Sequence, residues 1–455
     1  MTPDRAEIAV IGAGIIGIST AYHLSVVQGL GSVVLIDAGH PMAFTSAQSG
    51  ENYRNWWPHP AMVALTDRSI DLLEAMARET GNRIAMSRRG YALATRSTDI
   101  APALDQLTFG LGDRADALIR IHEAEAAPGY RAPVSDDWEE APEGVDILRD
   151  PGLIRATFPS FDPEIRTVIH IRRGGDISGQ QLGMAMLERF REAGGRRLTG
   201  TVDAIENTSG FRLSLQTAEG RQELRARRIV NAAGPFAGSI ARMLGIDLPV
   251  RNVFQQKIAF EDRAGAIPRD MPFAIDLDPQ EIDWAEDERQ ALREDPALSW
   301  LAETMPGAIH CRPDGGLQGR WVKLGWAFND TSAEAAWAPP LSDSFPEIVL
   351  RGAARLNPAL KQYYGRLPAR AHHYGGWYTM TAENWPLIGP MGPEGAFVNC
   401  AHSGFGTMSA CAAGELCAAW VAGGSLPDYA PGFSMARYGD TALMAHLQQA
   451  SRGVL

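Results

Sequence analysis

EIAVIGAGIIGISTAYHLSVVQGLGSVVLID, residues 7–37, contains a strand, a glycine turn, a helix and a second strand in immediate succession. EIAVI is a fully apolar run of strand length, and GAGIIG follows with Gly12, Gly14 and Gly17 in G-x-G-x-x-G spacing. That spacing alone is a weak signal. Here residues 18–27 continue as a helix, with Ala21 four residues past the third glycine, and VVLID ends on the acid Asp37. The result is a complete βαβ unit of the dinucleotide-binding kind. Gly12 permits the tight turn, Gly14 admits a pyrophosphate close to the backbone, and Gly17 lets helix and strand pack. The free N–H groups of the helix start, at Ile15 and Ile16, face an anion. Asp37 can accept hydrogen bonds from ribose hydroxyls. A tight turn without ligand is the competing reading, and the full strand–helix–strand context disfavours it.

The chain has 455 residues, enough for two or three domains. Its net charge of −12 disfavours nucleic acid or an anionic membrane as partner. Cys311, Cys400, Cys411 and Cys417 form no CxxC pair and have no zinc-like spacing, so they read as buried small hydrophobes in a reducing cytoplasm, with no metal site. The amino terminus lacks the features of a secretory signal and reads as mature and cytoplasmic. GTMSACAAGELCAAWVAGG, the most apolar late stretch, is interrupted by Glu415 and glycines and reads as a buried helix, not a membrane span. The sequence leaves the oligomeric state open.

Two later segments point back to the glycine turn. ARRIVNAAGPFAG is a strand running into Ala232, Ala233 and Gly234, small residues that allow a cofactor close to a strand's carboxyl end. AFVNCAHSGFG is a strand followed by a glycine-rich loop and a helix start at Gly404, Phe405, Gly406 and Thr407. No second glycine fingerprint in a strand-then-helix context occurs, as a two-nucleotide disulfide reductase would need. A simple NAD enzyme would complete its dinucleotide domain contiguously.

GAGIIG with Asp37, the NAAGPFAG strand end, the NWPLIGP turn and the HSGFG loop occur in the order found in the D-amino-acid oxidase and sarcosine oxidase family of FAD enzymes, which the chain resembles over nearly its whole length. The resemblance implies an α/β fold: a split Rossmann-type FAD-binding domain plus a substrate domain with a mixed, largely antiparallel β-sheet covering the flavin. It implies FAD held along the glycine turn, Ala38, the loop at Ser49 and Gly50, Val202 and the 404–407 loop. The reaction it implies is oxidation of a C–N bond in an amino acid or N-substituted amino acid, giving an imine that hydrolyses, with O2 reduced to H2O2. A dehydrogenase delivering electrons to a quinone or flavoprotein is the alternative within the class. Outside it stand a non-catalytic flavin-binding protein and a plain NAD-dependent dehydrogenase.

On this frame residues 1–90, 150–245 and 370–440 form the FAD-binding domain, 91–149 and 246–369 the substrate domain, and 441–455 a tail. Residues 60–81 read as an amphipathic helix, and RIAMSRRGYALAT as a hairpin. The acidic stretch 279–307, with Trp284 and Trp300, is expected as a solvated helical cover, with a mobile lid or a subunit contact as the alternative.

Four residues are expected to carry the chemistry. Lys323, in RWVKLGWAF, matches a K-L-G-aromatic context whose lysine activates oxygen in sarcosine-oxidase-like enzymes; an edge-strand surface lysine is the alternative. Arg54, in SGENYRNWW, has the fork that grips a carboxylate, with Tyr53, Trp56 and Trp57 as stacking neighbours. The tryptophans themselves are expected to anchor the loop. Tyr378 is expected at the flavin's substrate face, and His402 is either a site residue or a structural histidine. Trp321, Trp326 and Trp377 are pocket candidates whose alternative is core. The chain also departs from the family. Gly376-Trp377-Tyr378-Thr379 stands where sarcosine oxidases have Cys-Met-Tyr-Thr, so FAD is expected to be non-covalent there, and Met408 replaces a lysine of the family's carboxylate clamp.

Overall fold

The computed structural model describes residues 4–124, 129–133 and 138–449. Five parallel strands, Ala396–Cys400, Gly220–Asn231, Asp4–Ile11, Val33–Asp37 and Arg196–Thr199, lie side by side in that order. Their residues are apolar on both faces, as expected of a parallel sheet covered on both sides, and Val33, Val34, Leu35 and Ile36 are all buried. The 12-residue strand Gly220–Asn231 is shared along one edge. Its first half pairs antiparallel with Gly210–Thr217, and its last three residues pair with residues 396–398. Leu387–Pro390 and Thr201–Thr208 close the two branches of this edge.

Helices cover the sheet. Ile15–Tyr22 leaves the glycine turn and packs against Gly406–Ala422, and the small residues of the latter make this close approach possible. A Cβ at Gly414 would overlap Ser19 Oγ. Gly406–Ala422 is therefore a buried helix ended by Gly423, at φ +70°. Among the described residues no helix is long and apolar enough to cross a membrane. Pro60–Glu79 starts with proline in its first turn. His59 Nδ1 accepts from the Ala61 N–H at 3.1 Å, and the helix buries Val63, Ile70, Leu73 and Met76 on one face, as its periodicity predicts.

The second sheet has nine strands, in the order His372–Met380, Arg251–Glu261, Trp321–Gly325, Ile309–Asp314, Phe273–Asp276, Tyr91–Thr95, Thr167–Ile171, Val145–Leu148, Ile119–His122. Two neighbouring pairs are parallel and the rest antiparallel, so the sheet is mixed and largely antiparallel, as implied.

Three expectations differ from what is observed. Thr167–Ile171 and His372–Met380, in segments expected with the FAD-binding domain, belong to the second sheet. Thr167–Ile171 is buried throughout, and an unbroken buried strand carries no alternation to say which sheet it joins. The hairpin expected over 83–95 does not form. Only Tyr91–Thr95 is a strand, flanked by residues 167–171 and 273–276, while Ser87 to Gly90 run irregularly, with the Ser87 and Gly90 N–H groups bonded to Asp176 O and Gly174 O. The stretch 279–307 holds the short, solvated helix Glu286–Glu294, anchored by Trp284, whose Nε1 donates to Leu301 O at 2.9 Å and whose ring lies 4.5 Å from the Arg351 guanidinium. The end of the expected tail, 450–455, lies outside the described residues, and Thr441–Gln449 is helical.

Candidate active site

The carboxyl ends of the five parallel strands converge on one cavity of about 390 Å³, lined there by Gly12, Asp37, Gly200, Ala232 and Cys400. Open α/β sheets bind ligands at this edge. Gly12 has φ +108°, and a Cβ on it would overlap the Ala232 carbonyl. A Cβ on Gly17 would overlap the Gly12 carbonyl, so turn, strand end and helix touch through bare backbone. No side chain caps the helix at Gly14. Ser46 Oγ takes the Ile15 N–H at 2.9 Å, and the cavity lies at the positive end of the helix. Asp37 straps the turn, with Oδ2 accepting from Ala13 N at 2.6 Å and Oδ1 from Gly39 N at 2.7 Å. Each carboxylate oxygen keeps a second lone pair. A glycine cradle, an open helix terminus and a strand-end carboxylate fit the pyrophosphate and ribose of a dinucleotide.

Every residue expected to hold the cofactor lies on this cavity's wall except Gly17 and Phe405. Gly17 acts beneath the turn, and Phe405 points into the core, edge-to-face with Trp57 at 4.8 Å. Ser49 Oγ and Thr407 Oγ1 are 2.9 Å apart and join the 49–51 loop to the glycine-rich loop. In that second loop Ala401 and Ser403 both have positive φ, +61° and +46°, a strained backbone of the kind found at ligand sites. The Ser403 N–H bonds Thr379 O at 2.8 Å and ties the loop to the second sheet.

Of the four expected chemical residues, the structure brings Tyr378 and His402 to the cavity wall and leaves Arg54 and Lys323 off it. Arg54, fully buried, lies in strand Asn52–Arg54 with its guanidinium 5.0 Å from the Trp57 ring, 5.4 Å from Tyr91 and 5.8 Å from Trp56. The aromatic stacking is as expected, but inside the core, where burial pushes the Arg54 pKa down to about 10. The Lys323 ammonium faces carboxylates, Glu51 Oε2 at 2.9 Å and Asp314 Oδ1 at 3.3 Å. With Arg312, which donates from Nε to Gly50 O at 3.1 Å, it fixes the loop whose Ser49 and Gly50 line the cavity. Of the three candidate tryptophans only Trp377 lines the cavity, Trp326 is buried in the second core, and Trp321 is exposed. Met408 is buried in the first turn of Gly406–Ala422, with its carbonyl accepting from Ser69 Oγ at 2.6 Å.

His402 is structurally fixed. Asn399 Nδ2 donates to the Ala413 carbonyl at 3.0 Å, so Asn399 Oδ1 must accept the proton on His402 Nε2, at 2.9 Å. Nδ1 then accepts from Ser409 Oγ at 2.9 Å. With both nitrogens engaged and burial holding the pKa at about 3, the ring is neutral and has no proton to exchange near pH 7.

His23 and His170 are buried likewise, with pKa values pushed down to about 4 and about 3 by desolvation. In the unfolded chain each titrates near its ordinary value of about 6.5, so below that pH the unfolded state binds protons that the folded state refuses. Stability is therefore full above pH 6.5 and falls as pH drops toward 4, by up to about 1.4 kcal/mol per pH unit for each of the three. Urea midpoints measured from pH 7 to pH 4 should decline steadily, and a flat profile would contradict the burial of these rings.

Two features of the wall lay outside the sequence reading. Lys257, on strand Arg251–Glu261, reaches the cavity, with Nζ 3.3 Å from Tyr378 Oη and 5.3 Å from its ring. Its available signal was Gln255 and Lys257, two residues apart and therefore on one face of the strand. The second is an aromatic clasp. Phe44, Phe236 and Trp337 line the cavity near Asp37, with centroids 4.7 Å (Phe44–Trp337), 5.4 Å (Phe44–Phe236) and 5.8 Å (Phe236–Trp337) apart. All four cysteines are free and buried, and burial raises Cys400, on the wall, to about 12, so it is a neutral thiol.

Comparison with known proteins bears on this site. Over 280 residues the chain is 25% identical to the mitochondrial dimethylglycine dehydrogenase of Homo sapiens, a match covering 60% of this chain and 29% of that protein. It thus spans less than a third of the length of the dimethylglycine dehydrogenases it matches. It is 27% identical to the glycine oxidase of Pseudomonas putida over 265 residues, 58% of this chain and 64% of that enzyme. The fold superposes on the crystal structure of glycine oxidase from Geobacillus kaustophilus with a TM-score of 0.68 at 20% identity, covering 95% of this chain and 99% of the other. The family model DAO, described as FAD dependent oxidoreductase, matches residues 7–420, and the chain belongs to that family.

Proposed function

We propose that this protein oxidises the C–N bond of an amino acid or an N-substituted amino acid, using non-covalently held FAD and passing the electrons to O2. The observation that carries the reading is the cavity itself. It runs from the glycine cradle and Asp37 to Tyr378 and Lys257, and so joins a dinucleotide site to a polar end suited to a small charged substrate. The amine and amino acid substrates in the names of the relatives support the same class.

Bound FAD supplies the acceptor for a hydride leaving the carbon beside nitrogen. The protein's own contribution is to orient the substrate, exclude water and keep the amine neutral. Lys257 places a positive charge in a largely buried wall, which disfavours a second cation, the protonated amine, in the same cavity. His402, neutral and fully bonded, contributes shape and no proton. Gly376 leaves room where a side chain would approach Gln48 and Thr45, with its Cβ 3.2 Å from the Gln48 Cβ. The clasp of Phe44, Phe236 and Trp337 covers the Asp37 end. Trp337→Ala should accelerate FAD loss by up to about tenfold, read as flavin fluorescence released on dilution; an unchanged rate would remove the clasp from cofactor retention. Acid precipitation should free all the flavin into the supernatant.

A second reading of the acceptor has its own observation. The Lys323 ammonium is engaged by Glu51 and Asp314 instead of facing the cavity, which weakens the case for oxygen activation and favours a dehydrogenase serving a quinone or flavoprotein. Turnover measured as peroxide release, with and without an artificial electron acceptor, separates the two. Acceptor-only turnover by the pure protein rejects the oxidase.

A further inference from the structure

We infer that Lys257, with Tyr378, forms the anion site that holds the substrate's carboxylate; this rests on the amino acid reading above. Two observations converge on it. Lys257 is only 6% exposed, and among the described residues its one hydrogen bond is to a phenol, with no carboxylate in ion-pair reach. A buried ammonium without a counter-ion is costly, and such a charge persists where a ligand completes it. Lys323 shows the contrast, because two carboxylates already neutralise it.

The second observation is register. Strands Arg251–Glu261 and His372–Met380 pair antiparallel with Lys257 directly opposite Tyr374, so the two side chains share one face. Tyr378 lies four residues along the same strand and presents its phenol on that face, with Gly376 between the two tyrosines leaving the face open. Lys257 Nζ donates to Tyr378 Oη, which leaves two further ammonium protons and the Tyr378 phenol proton as donors. No acceptor meets them among the residues described. A cation with an O–H donor beside it is the complement of a carboxylate, and it would orient the amine end of an amino acid away from this strand pair. Neither Arg54, off the cavity wall, nor Met408, which carries no charge, supplies such a cation.

The test uses purified holoenzyme and two probes of nearly equal size, propionate and propionamide, each titrated while the flavin absorbance is followed. Lys257→Met with wild-type flavin content should bind propionate roughly ten- to a hundredfold more weakly and propionamide unchanged. Lys257→Arg, which keeps the charge, should retain most of the propionate affinity. Tyr378→Phe, a change of one hydroxyl on the cavity wall, should weaken propionate and spare propionamide, and it serves if Lys257→Met fails to hold flavin. Equal propionate affinity in wild type and Lys257→Met overturns the inference. So does intact propionate binding coupled to slow reoxidation by O2, which would assign the charge to oxygen. If no amine reduces the wild-type flavin, the oxidation reading fails while the propionate comparison still decides this one.

Discussion

Gly12→Ala should yield a folded protein that carries little or no flavin. Glycine at 12 has φ +108°, a conformation side chains rarely adopt, and a methyl group there would overlap the Ala232 carbonyl and approach Ala233. Both neighbours are backbone just beyond strand Gly220–Asn231 and cannot turn aside as a side chain can, so the strain, of order 1–3 kcal/mol, is relieved only by shifting the turn. That shift moves the amides at the start of helix Ile15–Tyr22 that face the cavity. Gly14→Ala is the control: its methyl would meet only Ser46 Oγ, at 3.0 Å, a side chain able to rotate. The ratio of flavin to protein absorbance after purification should fall steeply in Gly12→Ala and modestly in Gly14→Ala. Wild-type flavin content in Gly12→Ala would show that the turn does not hold the cofactor.

Glu383→Ala should be among the most destabilising single changes away from the site. Arg437 is buried against the turn that ends at Pro386, donating to Glu383 Oε1 at 2.7 Å, Pro386 O at 2.6 Å and Trp385 O at 3.2 Å. The turn leads into Leu387–Pro390 and so to Ala396–Cys400, which ends at the cavity. Removing the carboxylate leaves a guanidinium buried with carbonyls and the Tyr438 hydroxyl but no counter-charge, and breaking such a pair costs roughly 3–5 kcal/mol. Urea unfolding should show a midpoint lowered accordingly with an unchanged slope. Replacing both partners, Glu383→Leu with Arg437→Met, should recover most of the loss, because no charge then stays buried alone. A cost for Glu383→Ala below about 1 kcal/mol would place this pair with ordinary surface ion pairs.

The parts of the molecule legible in the sequence are those whose cause is local. Gly12, Gly14, Gly17 and Asp37 are set by one βαβ unit, and the HSGFG loop by the strand before it and the helix after it, so their convergence on one cavity could be read from spacing. Lys323 and Arg54 were read from local context too, yet the direction of each side chain is set by distant partners. Glu51, which draws Lys323 away from the cavity, is 272 residues away in sequence. Tyr91, which packs on Arg54, belongs to a strand whose neighbours come from 167–171 and 273–276. Lys257 went unread for the converse reason: a lysine in an alternating strand looks like a solvent-facing position until the sheet's other side is known. The same limit applies to the expected hairpin at 83–95, where a short apolar run gave no indication that its partners lie elsewhere.

The central claim, that this FAD-dependent family member oxidises a C–N bond, is tested most directly by anaerobic mixing. Holoenzyme with stoichiometric FAD would be combined, without oxygen, with D-amino acids, N-methyl amino acids and iminodiacids in turn, and the visible band of the oxidised flavin followed. The account predicts rapid bleaching by at least one carboxylate-bearing amine, with recovery of the band when oxygen or an electron acceptor is admitted. A flavin that stays oxidised with every member of the panel, in protein of full cofactor content, would contradict it.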